Sequence, residues 1–221
     1  MSKPPVFLSL SDLFEFTCRR NPDALAYALV RDSLELESQL TYGQLERQVR
    51  SLAYRLAHEV KPGTRALLLY PPGLDVACAF WACVYAGLIP VPAPAPDPIR
   101  MKHGVPRLRN IIDDAQASLI LTNSSIMALS SQCSLAKDMG PITWMATDHL
   151  VADAIASISI DMPRLDSSAL AYLQYTSGST ASPRGVVISH GNVLAHCKAL
   201  TLAGQVEDSS RSLCWLPYFH D

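Results

Sequence analysis

Five hydroxyl side chains fall within the seven residues Thr176 to Ser182, and a guanidinium, Arg184, follows two positions later. Thr176, Ser177, Ser179, Thr180 and Ser182 can each donate a hydrogen bond, while Gly178 and Gly185 open backbone angles that other residues avoid. A polyphosphate needs many donors at short range, and donors crowd around an anion only where small side chains let the backbone bend. Arg184 adds a fixed positive charge and a planar fork of N–H groups. The chemistry this stretch could do is to cradle the phosphates of a nucleotide. The competing reading is a solvated turn, the ordinary role of a Ser/Thr/Gly cluster between strands.

The flanks favour the cradle. Ala169 to Tyr175 is a short apolar run of the kind a buried strand shows, and Val186 to Ile188 is β-branched throughout. Two other phosphate loops fail on spacing. No Gly-Lys pair follows Gly178 as a P-loop requires, and no G-x-G-x-x-G occurs in the chain, which disfavours a P-loop kinase or a Rossmann dehydrogenase.

With those residues in view, Tyr175 to Gly185 resembles the phosphate-loop signature of the adenylate-forming superfamily, Thr-Ser-Gly-Ser-Thr-Gly-x-Pro-Lys-Gly. Seven of its ten positions match, at Thr176, Ser177, Gly178, Ser179, Thr180, Pro183 and Gly185. Ala181 stands for the usual glycine and Arg184 for the usual lysine. Arg184 keeps the charge but replaces a point-like ammonium with a plane. Three further segments are similar to the fatty acyl-AMP ligase branch. They are Leu173-Gln174-Tyr175, the proline-rich Ile89 to Pro98, and the terminal Trp215-Leu216-Pro217-Tyr218-Phe219-His220-Asp221, which looks like the start of Trp-Leu-Pro-x-x-His-Asp-Met-Gly.

The resemblance implies an α/β fold, a mostly parallel sheet flanked by helices, belonging to the large N-terminal domain of an adenylate-forming enzyme. It implies a first subdomain over 1–165 and the start of a second, carrying the phosphate loop, over 166–221. It implies activation of a fatty acid with ATP and Mg2+ to acyl-adenylate and pyrophosphate, followed by transfer to an acyl carrier protein. Thr176, Ser177, Gly178, Ser179, Thr180, Arg184 and Gly185 would then bind the nucleotide, and His220 would stand where the acyl carboxylate meets the α-phosphate. The ribose-binding acid, the acidic magnesium ligand, the adenine pocket and the catalytic lysine are expected beyond Asp221, so no metal ligand is assigned in the chain. The expectation is the first part of a longer ligase, with weak or absent turnover by itself. Two alternatives stay open: an acyl-CoA ligase, and a non-catalytic acyl or nucleotide sensor of the same fold, to which Ala181 and Arg184 would be suited.

The elements that must position these residues alternate between helix and strand. Ser11 can cap a helix to about Arg20, closed by Asn21-Pro22, and Leu25 to Val30 and Leu36 to Thr41 look like strands. A helix then carries Leu45, Val49, Leu52, Leu56 and Ala57 on one face and ends near Pro62-Gly63. Leu67-Leu68-Leu69 within Arg65 to Tyr70 is typical of a strand buried on both faces. Pro71-Pro72-Gly73 turns into an apolar helix from about Leu74 to Ala86, with Gly87 as its C-terminal cap.

The unit repeats as strand Leu88 to Val91, helix from about Pro106 to Ala115, strand Leu119 to Thr122 and helix from about Ser124 to Lys137. Right-handed crossovers predict parallel strands with ligands at their C-terminal ends. Asp148 to Asp166 reads as a connection. Ser189 can cap a helix to about Ala203, with Val193, Leu194, Cys197 and Leu200 on one side and its N-terminus near the loop. His190, at that start, could face the loop. His58, His103, His149 and His196 read as surface or packing residues.

Composition bounds the class. Of 221 residues, 49% are hydrophobic and 17% charged, which favours a packed core over disorder. A net charge of -2 gives no broad attraction to nucleic acid or an anionic membrane. The six cysteines form no C-x-x-C pair, and most, Cys214 included, read as small core residues rather than as zinc ligands or nucleophiles. With no signal-like N-terminus and no apolar run of membrane-spanning length, the default location is the cytoplasm.

Overall fold

A computed structural model of the chain describes residues 5–95, 101–132, 135–148, 162–176 and 184–219, with 101–103 described by their backbone alone. Helix α1 (Leu10–Arg20) leads into strands β1 (Leu25–Val30) and β2 (Leu36–Thr41), which pair antiparallel, and helix α2 (Tyr42–Glu59) follows directly. Strand β3 (Arg65–Leu69), helix α3 (Asp75–Tyr85), strand β4 (Ile89–Pro92), helix α4 (Met101–Ala115) and strand β5 (Leu119–Thr122) continue the alternation. Helices α5 (Ser124–Gln132) and α6 (Leu135–Asp138) precede strand β6 (Thr143–Ala146). A hairpin of β7 (Leu170–Thr176) and β8 (Arg184–Ser189) then passes into helix α7 (His190–Ala203). The chain is thus α/β, with a mostly parallel sheet flanked by helices, as its alternation predicts.

Among the described residues the parallel sheet has the order β4-β3-β5-β6. Its centre is β3, where Leu67, Leu68 and Leu69 are all fully buried. Side chains alternate across a strand, so consecutive leucines must be covered on both faces. Leu68 and Ala66 pack with α2 and α3 on one face, and Leu67 and Leu69 with Leu108, Ile111 and Ile112 of α4 on the other. The chain leaves β3 for the face of α3 and leaves β4 for the face of α4. In the order β4-β3-β5-β6 the direction of winding reverses between β3 and β5, which makes that pair the switch point of a doubly wound sheet.

Several elements differ from the sequence expectation. The cap of α1 is Ser9, not Ser11. Ser9 Oγ accepts from Asp12 N–H at 3.1 Å and Asp12 Oδ2 accepts from Ser9 N–H at 3.0 Å, a reciprocal box that needs an acid three residues on. Ser11 lies inside the helix and donates to the Val84 carbonyl. On α2 it is Ala53, not Ala57, that completes the buried face. Helix α4 begins at Met101 and contains Pro106 in its interior. Strand β6, which short length and weak patterning hide in the sequence, pairs parallel with β5. Cys18, Cys78 and Cys83 are buried, but Cys197 and Cys214 are exposed, so Cys214 is not a core residue. No helix among the described residues is long and apolar enough to cross a membrane.

The burial contrast is testable. Leu68→Ala is expected to lower unfolding free energy in urea by about 2–5 kcal/mol, through lost burial and the cavity left behind. Val187→Ala, at a side chain 59% exposed on β8, is expected to stay within about 0.5 kcal/mol.

Candidate active site

The loop expected to hold phosphate is the turn of an antiparallel hairpin. Leu173 pairs with Val187, Gln174 with Val186, Tyr175 with Gly185 and Thr176 with Arg184. The loop therefore leaves and re-enters the fold at two facing residues, one a hydroxyl donor and the other an exposed cation. Of the expected site residues, Thr176, Arg184 and Gly185 are described. Ser177, Gly178, Ser179 and Thr180, with Ala181, Ser182 and Pro183, lie outside the described residues, and so does His220.

Gly185 has a different reason from the one its composition suggests. Its backbone is not in the positive-φ region. A Cβ at this position would lie 2.8 Å from the Tyr175 ring, which sits across the pair on the same face. The absent side chain makes room for that ring, whose hydroxyl donates to Asp114 Oδ2 on α4 at 2.5 Å. Burial, and then this bond to the carboxylate, push the Tyr175 phenol above its usual range, so it is a neutral donor. The base of the loop is thus tied to α4.

A second tie comes from the terminal segment. Gln174 Nε2, two residues before the loop begins, donates to the Phe219 carbonyl at 3.0 Å. Tyr218 reaches into the crevice between β3 and β4, where its hydroxyl accepts from Tyr70 N–H at 3.0 Å. The Ala93 and Tyr70 carbonyls stand 2.8 and 2.9 Å away to accept its proton. Burial raises the Tyr218 phenol to about 12, which keeps it protonated. Tyr70 in turn hydrogen-bonds Thr147 at 2.8 Å, and Thr122 donates to the Leu69 carbonyl at 2.6 Å. The chain at Tyr218-Phe219 and the strand that leads into the loop therefore meet at one corner of the fold.

The N-terminus of α7 does not join them. Ser189 caps α7 as predicted, with Asn192 completing a box, but Ser189 pairs with Leu170 at the far end of the hairpin. The five steps of β8 separate it from Arg184 by about 17 Å, beyond the reach of a helix-end partial charge. His190 likewise does not face the loop. It is 1% exposed, and its Nδ1 accepts from Leu10 N–H at 3.0 Å, stapling α1 to α7. Burial lowers its pKa, against the opposing pull of Asp12 and Asp166.

Sequence reading named Gln174, Tyr175 and Tyr218 only as parts of motifs and missed Asp114. A polar residue within the apolar run before the loop was a signal for Gln174. Nothing local marks Asp114, because its partner is 61 positions away.

With this geometry in hand, a model of the family described as AMP-binding enzyme matches residues 14–221. The chain is 39% identical over 223 residues to the medium-chain-fatty-acid acyl-carrier-protein ligase JamA of Moorena producens, covering 100% of this chain and 37% of that protein. It is 35% identical over 202 residues to the long-chain-fatty-acid AMP ligase FadD32 of Mycolicibacterium smegmatis, covering 90% of this chain and 32% of that protein. The crystal structure of a fatty acyl-adenylate ligase from L. pneumophila, in complex with acyl adenylate and pyrophosphate, superimposes with a TM-score of 0.81 at 29% identity. That match covers 96% of this chain and 36% of the other. The chain spans about a third of the length of the curated relatives it matches.

Two outcomes follow from the contacts around the hairpin. Gly185→Ala is expected to cost about 1–3 kcal/mol in urea unfolding, because the Tyr175 ring must move. In a Tyr175→Ala background the same change should cost much less, which a double-mutant cycle reads directly. For His190, only the neutral ring can accept from Leu10, so the folded state resists protonation. Its contribution to stability is complete above the unfolded value of 6.5 and is lost as pH falls from there toward the lowered folded value. Urea midpoints between pH 7.5 and 5.5 should show this slope in the native chain and lack it in His190→Gln.

Proposed function

The chain belongs to the AMP-binding enzyme family, and from that premise we propose that it is the N-terminal part of a fatty acyl-AMP ligase. The observation that carries the reading is the shared corner, where Thr176 faces Arg184 across the hairpin and Gln174 holds the carbonyl next to His220. The printed names of the relatives support a fatty acid as substrate, ATP as the source of the adenylate, and an acyl carrier protein rather than coenzyme A as acceptor. They equally favour a working ligase over a sensor. A cytoplasmic location and the division into subdomains at 1–165 and 166–221 belong to the same proposal.

In the reaction, a carboxylate oxygen attacks the α-phosphorus of ATP and the bond to the bridging oxygen breaks. Pyrophosphate then leaves with the electron pair. Thr176, Ser177, Ser179 and Thr180 donate to the departing phosphates, with Gly178 letting the backbone bend around them and Gly185 seating the Tyr175 ring at the base of the loop. Arg184 neutralises the charge that grows on them. His220 lies beside the carboxylate and the α-phosphate. Holding the reactants in line supplies the rest of the acceleration. Magnesium would arrive with ATP. Among the described residues no group of three or more His, Cys, Asp or Glu side chains could hold it, so no step is assigned to a metal here.

The test is isotope exchange between pyrophosphate and ATP, dependent on fatty acid, in the full-length ligase. Arg184→Ala is expected to slow it by at least about tenfold. An unchanged rate would remove Arg184 from the phosphate site, and exchange indifferent to fatty acid would remove the substrate class.

A further inference from the structure

The paired strands β3 and β4 end side by side, and the chain leaves them for opposite faces of the sheet. The gap between their C-terminal ends receives a side chain from far along the chain. Tyr70 follows β3 and Ala93 follows β4, and the Tyr218 hydroxyl bonds the backbone of both. Only a neutral hydroxyl can serve such a seat, since it must accept from one N–H and donate to a carbonyl at the same time. The next residue is held from another direction, by the bond from Gln174 Nε2 to the Phe219 carbonyl. Two successive residues gripped by three different strands leave little freedom in where the chain points next.

We infer that Tyr218 is a positioning residue for the reaction: its hydroxyl pegs the chain at Tyr218-Phe219 between the ends of β3 and β4 and so fixes the point from which the chain leads into His220. This rests on the function proposed above. A phenyl ring would keep the apolar contacts of Tyr218 with the core around Leu68 but leave Tyr70 N–H and the two carbonyls without a partner.

Nuclear magnetic resonance on the 221-residue chain tests the peg apart from any activity. In Tyr218→Phe, amide exchange at Tyr70 should rise by at least about tenfold, and the side-chain amide signals of Gln174 should shift, while exchange in β5 stays the same. Unchanged exchange at Tyr70 overturns the peg. Faster exchange with Gln174 unmoved overturns its control of Phe219. In the full-length ligase, Tyr218→Phe should lower kcat for acyl-adenylate formation about tenfold with the KM for ATP within about twofold. An unchanged kcat overturns the positioning role.

If the full-length protein forms no adenylate from any fatty acid, the proposed function fails, and the amide measurements still decide the peg. Should Tyr218→Phe not fold, Gln174→Leu carries the test. It should lower kcat similarly while leaving Tyr70 exchange unchanged, and a native kcat would overturn the idea.

Discussion

The pairing of β7 with β8 is the constraint from which the candidate site follows. Antiparallel pairing sets Thr176 opposite Arg184, so one hydroxyl donor and the cation share one mouth. A slip of one residue would send every side chain of one strand to the other face. Tyr175 would leave the core beside Val91 and Leu173, and the space at Gly185 would no longer lie under a ring. The register is therefore specified by burial and by a single small residue.

Such a hairpin alone is only marginally stable in water, and its strand β8 is largely exposed. Its geometry is held by ties to the larger body. Strand β7 runs beside β4, Tyr175 reaches Asp114, Gln174 reaches Phe219, and at the other end His190 receives Leu10. Three of these ties are single hydrogen bonds, each worth roughly 1 kcal/mol net. Their effect on position exceeds their effect on stability, because they fix both ends of the hairpin against a sheet whose central strand is buried on both sides.

This arrangement also decides where charge comes from. Helix N-termini often supply the field at phosphate sites, but the start of α7 lies a strand's length from the loop. Among the described residues at the mouth of the hairpin, the positive charge is that of Arg184, which faces Thr176. The tyrosines near the corner, Tyr70, Tyr175 and Tyr218, all have raised pKa values through burial, so they act as hydrogen-bonding posts rather than as acids or bases.

Much of this was legible in the order of residues. Leu119 to Thr122 read as a strand and is one, and Leu67-Leu68-Leu69 read as buried on both faces, because short continuous apolar runs between turn signals suit a strand covered on both sides. Ser189 read as a cap, since a Ser followed three residues on by Asn satisfies two helix-end donors locally. The family was legible in ten consecutive positions. Those signals are short-range: period, cap chemistry and motif are written within a few residues of where they act. What only the tertiary structure decided joins distant positions. Gly185 serves Tyr175 by space rather than by torsion, His190 serves α1 rather than the loop, and Tyr218 serves a crevice nearly 150 positions upstream. No local pattern encodes such partnerships, because they exist only once the sheet has brought its strand ends together.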